Sequence, residues 1–377
     1  MAGKKSAVEA GKSVLVAMSG GVDSSIAAYL LVEQGYTCIG VTMKLIPPEG
    51  NLCSADNACC RLDDIKEAED IAKALGMPHH TLDLYPYFAT NVIDKFIAAY
   101  ESGATPNPCV DCNRDLKFGR LLAYADELGC DYIATGHYVR RRQNSDGSFD
   151  LLTGVDASKD QSYMLYSLSQ KQLSRALFPL GELSKKEVRA LAEKQSFSNA
   201  DKEDSQDICF IPDGDYLAFM EQYTGKNYPS GEIVDRSGKV LGHHRGAPAY
   251  TIGQRKGLGL AAPEPLYVLA KDMTANRLIV GKNTDLMGRL IRCDNWNWIN
   301  GQPAPGLHIQ VKARYRQQAA AATVNILSDR LAEINFADPQ RALTPGQAAV
   351  AYDGNRVLGG GTILPLADEQ LAGRTGA

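Results

Sequence analysis

The pattern of apolar and polar positions separates the chain into two halves with different periods. In the first half, apolar runs alternate with stretches in which apolar residues recur every three or four positions. The runs are VLVAM, TCIGVTM, HHTLDL and DYIATGHY, and the periodic stretches are SSIAAYLLVEQ, DDIKEAEDIAKAL, NVIDKFIAAY and FGRLLAYADEL. Short runs indicate strands and the longer period indicates helices. Their alternation predicts an α/β fold with a doubly wound parallel sheet.

The second half has a different texture. A further helical stretch covers about 168–193, where Ser184 and Glu187 fit the two ends of a capping box. After about Pro212 we expect no more helices, because glycine and proline become frequent and short strands such as GEIVD, LYVLAKD and RLIVG follow. Beyond about Leu290 the segments HIQVKARY, AATVNILS, LAEINF, QAAVAYD and RVLGGGTIL predict a small barrel. The predicted domains are therefore an α/β domain over 1–212, a small mainly-β linking domain over 213–288 and a β-barrel over 289–377.

The composition indicates the class of protein and the cellular compartment to expect. The chain has 377 residues, of which 44% are hydrophobic and 22% charged, as in soluble globular proteins. No apolar run is long enough to span a bilayer and the charged start lacks a signal-peptide core, so we expect a cytoplasmic protein without membrane contact. Nine cysteines in a chain of this size indicate a reducing compartment and some chemically used thiols. With a net charge of −4, binding of nucleic acid would depend on local basic patches.

The stretch VLVAMSGGVDSS places two glycines between a predicted strand and a predicted helix. Exposed backbone N–H groups at a helix N-terminus suit a phosphate or pyrophosphate. The turn is neither a Walker A loop nor GxGxxG, and an ordinary strand-to-helix turn is the structural alternative. Asp23 could hold Mg²⁺ or a phosphate-bound water, and Ser19 and Ser24 supply hydroxyl donors. The expected contact residues are Ala17, Met18, Ser19, Gly20, Gly21, Val22, Asp23 and Ser24.

SGGVDSS resembles the PP-loop of the ATP pyrophosphatases, which split ATP into AMP and pyrophosphate and activate a substrate oxygen by adenylation. The resemblance implies ATP and Mg²⁺ as cofactors. By itself the motif also fits an amidotransferase synthetase, an NAD synthetase or a tRNA lysidine enzyme.

Five further segments occur in a fixed order: TPNPCVDCN, TGHYVR, KDQSYML, DSQDICFI and TIGQRKGLGL. Together with the PP-loop they resemble the tRNA-uridine 2-sulfurtransferases, which thiolate the wobble uridine of certain tRNAs, over about Val14 to Gly360. The resemblance implies that the uracil C2 oxygen is adenylated, that a cysteine persulfide supplies the sulfur, and that AMP and pyrophosphate are released. It also implies two partners, tRNA and a sulfur donor such as a cysteine desulfurase or a sulfur relay protein.

By this resemblance Cys209 carries the persulfide and Cys112 is the partner nucleophile, with a Cys112–Cys209 disulfide left after transfer. Their thiolate character should control both steps. The structural alternative is a pair of inert buried cysteines. Cys109 departs from family members that have Asp there, and Cys109, Cys112 and Cys209 could instead ligate an iron–sulfur cluster with one open iron. Cys53, Cys59 and Cys60 fit no common zinc spacing and are either incidental thiols or a metal or redox group.

The remaining site residues also come from the resemblance. Met43 and Gly136 would contact the nucleotide, and Asn107, Pro108 and Cys109 would line the target base. The expected tRNA contacts are His137, Lys159, Asp160, Gln161, Arg314, Tyr315 and Gln347. Arg314 and Tyr315 would offer a cation for phosphate and a ring for stacking. The structural alternatives are a packing glycine, a buried histidine and a solvated barrel face.

Two further functional hypotheses belong to other classes. One is another PP-loop ligase acting on a small acid or amide, and the other is a redox or iron–sulfur protein that contacts RNA without modifying it. Each accounts for only one of the two motif sets. The segment HHRGAPAYTIGQRKGLGL is rich in glycine and basic residues, and we expect it to close over the pocket that receives the uridine.

Overall fold

A computed structural model describes residues 11–47, 62–202, 208–211, 214–303 and 309–365. Its first sheet is parallel throughout and has the strand order β3-β2-β1-β4-β7. The strands are β1 (Ser13–Ala17), β2 (Thr37–Lys44), β3 (His79–Asp83), β4 (Tyr132–Ala134) and β7 (Ala176–Leu177). The predicted α/β fold is confirmed.

Helices cover both faces of this sheet. They are α1 (Val22–Glu33), α2 (Leu62–Ala74), α3 (Tyr85–Phe88), α4 (Asp94–Glu101), α5 (Pro108–Asp111), α6 (Leu121–Glu127), α7 (Gln170–Arg175) and α8 (Lys185–Lys194), with π-helical turns at Ala89–Ile93 and Cys112–Arg120 and a 3₁₀ turn at Ser162–Leu165. Val14 and Val16 of β1 pack with residues of α1 and α2, whereas Leu15 packs with residues of α6. Side chains alternate between the faces of a strand, so β1 is buried on both sides, as a doubly wound sheet requires.

The predicted helical stretch near residue 184 is confirmed in its capping. The Ser184 side chain accepts from the Glu187 amide and the Glu187 carboxylate accepts from the Ser184 amide. The stretch is not one continuous helix, however, because the edge strand β7 lies between α7 and α8.

The expectation of no helix after Pro212 was wrong. Helix α9 (Tyr216–Thr224) follows directly, with Asp215 accepting from the Ala218 amide at 3.2 Å and Gly225 ending the helix at φ 67°. These are the ordinary start and stop signals of a helix. Phe219 and Met220 of α9 are buried in an aromatic cluster of the α/β domain.

The next sheet has the order β10-β11-β8-β9. Its strands are β8 (Gly231–Val234), β9 (Val240–His244), β10 (Tyr267–Asp272) and β11 (Arg277–Gly281), and 3₁₀ turns lie at Ala247–Ala249 and Asn283–Leu286. All pairings are antiparallel except that of β11 with β8. The three strands that the sequence predicted here, GEIVD, LYVLAKD and RLIVG, are confirmed.

The last six strands close into an antiparallel barrel. They are β12 (Met287–Trp298), β13 (Ile309–Lys312), β14 (Ala320–Ile326), β15 (Ala332–Arg341), β16 (Ala348–Asp353) and β17 (Arg356–Ile363). Closure comes from the long strand β12, which pairs with β15 through its first half and with β17 through its second half. The predicted barrel is confirmed.

A hairpin from the first half of the chain extends the barrel sheet. It consists of β5 (Val139–Gln143) and β6 (Phe149–Thr153), and β6 pairs with β17 through Leu151 and Leu152. The basic run 140–142 lies on β5, where Arg142 forms an ion pair with Asp150 at 2.7 Å. The α/β domain and the barrel therefore share a sheet edge. Among the described helices, none has the length and apolar character needed to cross a membrane.

Candidate nucleotide and sulfur-transfer site

The two glycines of the turn after β1 have different roles. Gly20 has φ +70°, and a Cβ built on it would lie 2.9 Å from the Asp64 Cα and closer still to the Asp64 carbonyl oxygen. Gly20 is therefore needed so that α2 can pack on the turn. Around Gly21 the nearest described atom to such a Cβ is the Ser19 Oγ at 3.5 Å, and among the described residues no side chain caps α1. The first amides of α1 thus form the positive end of a helix dipole on the accessible side of the turn, which fits an anion.

The two serines of the turn, Ser19 and Ser24, also differ in their surroundings. The Ser24 hydroxyl donates to the Gly21 carbonyl at 2.9 Å and accepts from the Ser19 amide at 3.1 Å, so it shapes the turn. Ser19 is exposed, its hydroxyl lies 3.4 Å from the Ser24 hydroxyl, and its contact with a nucleotide stays a prediction. Met18 and Val22 are each 3% exposed, so they can contact a ligand only through their backbone.

Asp23 has two partners that the sequence did not predict. Its Oδ1 accepts from the Lys185 Nζ and from the Tyr138 hydroxyl, each at 2.7 Å. Lys185 is 8% exposed and is the first residue of α8. A cation is unfavourable at a helix N-terminus, so the carboxylate of Asp23 compensates for its burial there. Lys185 lies in the segment LSKKEV. The capping pattern of this segment predicts the start of a helix but not the contact of Lys185 with Asp23.

Lys202 is a second ammonium group at the turn. Its Nζ donates to the Gly20 carbonyl at 3.1 Å and forms ion pairs with Asp64 at 2.6 Å and Glu67 at 2.7 Å. Burial acts to lower the pKa of Lys202, but the hydrogen bonds and charges of Asp64 and Glu67 together prevail and raise it. The turn is thus clamped to α2 through its backbone.

Gly136 and Met43 lie at the same edge of the sheet. A Cβ on Gly136 would lie 2.9 Å from the Asp23 carbonyl carbon, so this glycine packs against the backbone of the turn, as the structural alternative proposed. Met43 is the penultimate residue of β2 and packs against two clusters, one of which contains the cysteines described next. Nucleotide contacts of both residues stay predictions.

The segment TPNPCVDCN begins a helix whose geometry then changes. Asn107 caps α5 by accepting from the Cys109 amide at 3.2 Å, and Pro108 occupies the first helical position. Cys112 opens a nine-residue π-helix, Cys112–Arg120. Such helices are rare and are frequent at functional sites. Cys109 is exposed and Cys112 is half-buried.

Cys112 and Cys209 pack against the same hydrophobic cluster. This cluster contains Phe88, Phe96 and Phe210, and Met43 packs against it too. Both cysteine side chains are half-buried, so each is partly accessible to a reactant. The predicted disulfide between them stays a prediction.

The sequence did not predict a group of charged side chains next to Cys112. Arg114 donates to Asp111 at 2.6 Å and to Asp115 at 2.9 Å, and Lys95 pairs with Asp115 at 2.9 Å. Burial raises the pKa of Asp111 above its ordinary value, although Arg114 opposes this. Burial also opposes ionisation of Asp115, but the hydrogen bonds from Arg114 and Lys95 prevail and lower its pKa. A carboxyl with a raised pKa one residue before Cys112, the predicted nucleophile, is a candidate proton carrier.

The cysteines do not form a metal site in the part of the chain that the structure describes. Within those residues no three His, Cys, Asp or Glu side chains are placed to hold a metal ion. Cys109, Cys112 and Cys209 are all described, so this arrangement gives the iron–sulfur alternative no support. Cys53, Cys59 and Cys60 lie outside the described residues.

His137 occupies an interior position. Its side chain is 6% exposed, its Nδ1 is 2.7 Å from the Thr135 hydroxyl, and it packs beside Phe118 and Phe178. Burial lowers its pKa well below the ordinary value, so the ring is neutral. The burial of the ring agrees with the structural alternative of a buried histidine, and a contact of His137 with tRNA stays a prediction.

The KDQ segment links the nucleotide turn to the barrel. Gln161 accepts from the Tyr138 amide at 3.0 Å, and Tyr138 holds Asp23. Asp160 accepts from Ser162 at 2.8 Å, and its backbone carbonyl accepts from the Tyr315 hydroxyl at 3.1 Å. The predicted tRNA residues 159–161 and 315 therefore come together, with Lys159 at the half-exposed edge.

Arg314 and Gln347 are engaged within the protein. Arg314 donates to the Ile252 carbonyl at 2.9 Å and to the Thr344 hydroxyl, and burial lowers its pKa. Gln347 donates to the Thr105 carbonyl at 2.8 Å. The two residues thus attach the barrel to the TIGQ and TPNP segments, and their contacts with tRNA stay predictions.

The fold and the site define a class: a nucleotide-binding α/β domain of the HUP type followed by two β domains. The family models for the tRNA methyl transferase HUP domain, the tRNA methyl transferase PRC-barrel domain and the aminomethyltransferase beta-barrel domain match residues 12–213, 217–282 and 288–363. The tRNA-specific 2-thiouridylase MnmA of Acidithiobacillus ferrooxidans is 48% identical over 356 residues, covering 94% of this chain and 99% of that protein. Its counterpart in Heliobacterium modesticaldum is 47% identical over 368 residues, covering 96% and 94%.

The chain belongs to the tRNA-specific 2-thiouridylase family. The resemblance inferred from the motifs is confirmed, and so is the prediction that the protein is an enzyme of the tRNA sulfurtransferase type. Among solved structures, a 4-thiouridine synthetase–RNA complex with bound ATP is 20% identical with a TM-score of 0.34, covering 54% of this chain and 46% of that chain.

Proposed function

We propose that this enzyme catalyses ATP-dependent 2-thiolation of the wobble uridine of tRNA. The uracil C2 oxygen is adenylated, sulfur is transferred from a persulfide on Cys209, and AMP and pyrophosphate are released. The observation that carries the proposal is the packing of Cys112, Cys209 and Met43 against one cluster at the sheet edge where the glycine turn lies. Activation and sulfur delivery can therefore act on a single base.

The activation step uses the glycine turn. The C2 oxygen is a poor leaving group, so it first attacks the α-phosphorus of ATP, forming a C–O–P bond and expelling pyrophosphate. The amides at the N-terminus of α1 and the exposed Ser19 hydroxyl receive the phosphates. Asp23 is the residue of the turn that would carry Mg²⁺, whose chemistry is to neutralise charge on the phosphates.

The transfer step uses the two cysteines. The terminal sulfur of the Cys209 persulfide attacks C2 and displaces AMP, which leaves the base joined to Cys209 through two sulfurs. The Cys112 thiolate then attacks the Cys209 Sγ, the S–S bond to the base breaks, and 2-thiouridine leaves. The two cysteines lose two electrons and form a disulfide. A thiol reductant must reopen that disulfide, and the sulfur donor must restore the persulfide before the next turnover.

The target base reaches this place by turning out of the anticodon stack. Asn107, Pro108 and Cys109 form the start of α5, which leads directly into Cys112. Burial chiefly raises the pKa of Tyr315, with further electrostatic contributions from Asp160 and Cys109. The phenol therefore stays neutral, which suits a ring that stacks on a base. The TIGQ segment, which Arg314 attaches to the barrel, covers the opposite side when tRNA is bound.

The test is a direct product assay. The protein is incubated with ATP, Mg²⁺, a cysteine desulfurase with cysteine as the persulfide donor, a thiol reductant and unmodified tRNA, and 2-thiouridine is measured by mass. We expect Cys112→Ala and Cys209→Ala to lose product, while Cys130→Ala, a buried cysteine of the same domain, keeps it. Product formation by Cys209→Ala would refute the role of that residue. Pyrophosphate release that needs no tRNA would indicate a ligase for a small acid or amide instead.

The iron–sulfur alternative has its own test. Cys109, Cys112 and Cys209 would hold the cluster, and its open iron would bind the sulfur. Protein purified without oxygen is assayed for iron and for visible charge-transfer absorbance. Absence of both in active protein is the outcome expected for the persulfide route.

A further inference from the structure

Lys271, near the end of β10, is a lysine in an unusual setting. Its Nζ donates to the Ala104 carbonyl at 3.2 Å and to the Tyr250 carbonyl at 3.0 Å, and it lies 5.3 Å from the centre of the Tyr100 ring. Within the described residues it forms no ion pair with a carboxylate. Burial alone lowers its pKa from 10.5 to about 8.

The two carbonyls belong to segments that lead into the site. Ala104 directly precedes TPNP, which continues into α5 with Cys109 and into the π-helix with Cys112. Tyr250 directly precedes TIGQ. A single ammonium group of the central sheet therefore joins the cysteine-bearing segment of the α/β domain to the segment expected to cover the uridine.

The barrel holds the next residue of the same segment. The Thr105 amide donates to the Pro345 carbonyl at 2.8 Å, and the Thr105 carbonyl accepts from the Gln347 side chain at 2.8 Å. Gly346, at φ +87°, lets the two backbones approach, since a Cβ there would be 3.0 Å from three Thr105 backbone atoms. The central domain therefore hydrogen-bonds to the backbone of Ala104 and the barrel to that of Thr105. Both residues lie shortly before Asn107, which caps α5.

Stability alone does not explain a lysine at this place. Lys271 is half-buried, and an ammonium withdrawn from water with no carboxylate partner among the described residues is costly, so an apolar side chain of similar length would fill the same volume more favourably. A cation attracts two carbonyl oxygens and the face of an aromatic ring at once, and so holds these groups in fixed relative positions. The retained charge therefore indicates a requirement for fixed geometry between the two segments.

We propose that Lys271 is a positioning residue for sulfur transfer, which sets the Cys109–Cys112 segment relative to the TIGQ segment. The inference rests on the proposed function and adds a residue that touches neither substrate. Because Lys271 acts through the backbone of Ala104, its loss should slow the sulfur-transfer step and leave ATP binding at the distant glycine turn intact.

The charge of Lys271 makes activity and stability respond to pH in opposite directions. Near Lys271, Tyr100 has a pKa raised by burial, so it is neutral through this range. Above a pH of about 8 the folded protein loses the Lys271 proton, and the bonds to the two carbonyls weaken. The unfolded chain keeps that proton up to its ordinary pKa, so unfolding becomes less favourable as pH rises between the two values. We therefore expect sulfur transfer to slow over the same pH range in which the contribution of Lys271 to the free energy of unfolding grows.

The experiment compares Lys271→Met, Lys271→Arg and, as a matched control, Lys282→Met. Lys282 belongs to the same domain, but its side chain is 66% exposed and pairs with Glu264. Three quantities are measured in the full-length protein: the single-turnover rate of thiolation at saturating ATP and tRNA, the ATP Kd, and the rate at which iodoacetamide modifies Cys112. We expect Lys271→Met to slow thiolation about tenfold or more with an ATP Kd within about twofold, and Lys282→Met to behave as wild type.

Lys271→Arg keeps the positive charge at every pH tested, so it separates the effect of the charge from the effect of side-chain packing. We expect it to recover much of the rate, and the ratio of the wild-type rate to its rate to fall above pH 8. A wild-type rate in Lys271→Met, or equal losses of rate and ATP affinity, would overturn the inference. The Cys112 modification rate remains informative if wild type makes no thiouridine: that result refutes the proposed function, whereas an unchanged Cys112 reactivity in Lys271→Met refutes the positioning role.

Discussion

Replacing Gly20 by alanine tests how the nucleotide turn is built. Gly20 is buried, has φ +70°, and lies against the backbone of α2, where an added Cβ would be 2.9 Å from the Asp64 Cα. Gly76 provides the matched control, because it has the same φ of +70° but no atom of the described part of the chain within 4 Å of the position that an added methyl group would take. The two substitutions share the backbone strain and differ only in the steric contact.

The magnitude follows from these two terms. A left-handed conformation costs an alanine about 1–2 kcal/mol relative to glycine, and Gly76→Ala should lose only that. At Gly20 the methyl group is also at least about 0.5 Å inside ordinary contact with backbone that cannot rotate away. Forcing α2 outward costs a further ~1–3 kcal/mol. The movement would also disturb Lys202, which bonds both Gly20 and Asp64.

The assay is urea unfolding of both variants with ATP binding measured by calorimetry. We expect Gly20→Ala to lose about 1–3 kcal/mol more stability than Gly76→Ala and to weaken ATP binding at least about tenfold, while Gly76→Ala binds ATP normally. Equal stability losses would refute the steric argument. A normal ATP Kd in Gly20→Ala would refute the assignment of the turn as the phosphate site.

Three further outcomes follow from single groups. Lys185→Met should weaken pyrophosphate and ATP binding about tenfold in calorimetry, because it removes the buried ammonium beside the turn, whereas the adjacent exposed Lys186→Met should not. Iodoacetamide at pH 8 should modify the exposed Cys109 in the native state but not Cys38, since burial chiefly raises the pKa of Cys38 to about 11; peptide mass mapping distinguishes them. Hydrogen bonds, first from the Ser13 amide, lower the pKa of Asp131 to about 2, so its stabilisation is complete above the unfolded value near 3.8 and vanishes as pH falls through 2. Asp131→Asn should therefore destabilise the protein at pH 6 and have little effect at pH 2 in urea titrations.

Much of the fold could be predicted because its signals are local. Strands β1 and β2 are largely apolar runs, and the capping box at Ser184 needs only four consecutive residues. Helix α9 was missed although Asp215 and Gly225 are standard end signals, because the glycine-rich composition around it was given more weight than these two residues. The pairing of β6 with β17 joins residues about 200 positions apart, and no local pattern reports such a pairing.

The site was predicted in part for the same reason. The glycine turn is a local motif, and Cys112 and Cys209 could be paired through the resemblance of their segments. The partners of Asp23 could not, since Tyr138 and Lys185 come from separate elements and only tertiary folding brings them there. For His137 the motif predicts an RNA contact, which stays a prediction, and the packing of the side chain beside Phe118 and Phe178 is a tertiary feature that the motif did not indicate.

Arg314 and Gln347 explain why a residue inferred from a family motif need not be free to bind RNA. In this conformation each donates to a backbone carbonyl of a segment that borders the site, Ile252 for Arg314 and Thr105 for Gln347. Contact with a tRNA phosphate would require Arg314 to share or release its bond to Ile252, which would loosen TIGQ as the RNA arrives. Binding of tRNA and rearrangement of the cover over the uridine would then be one event, because the same guanidinium takes part in both.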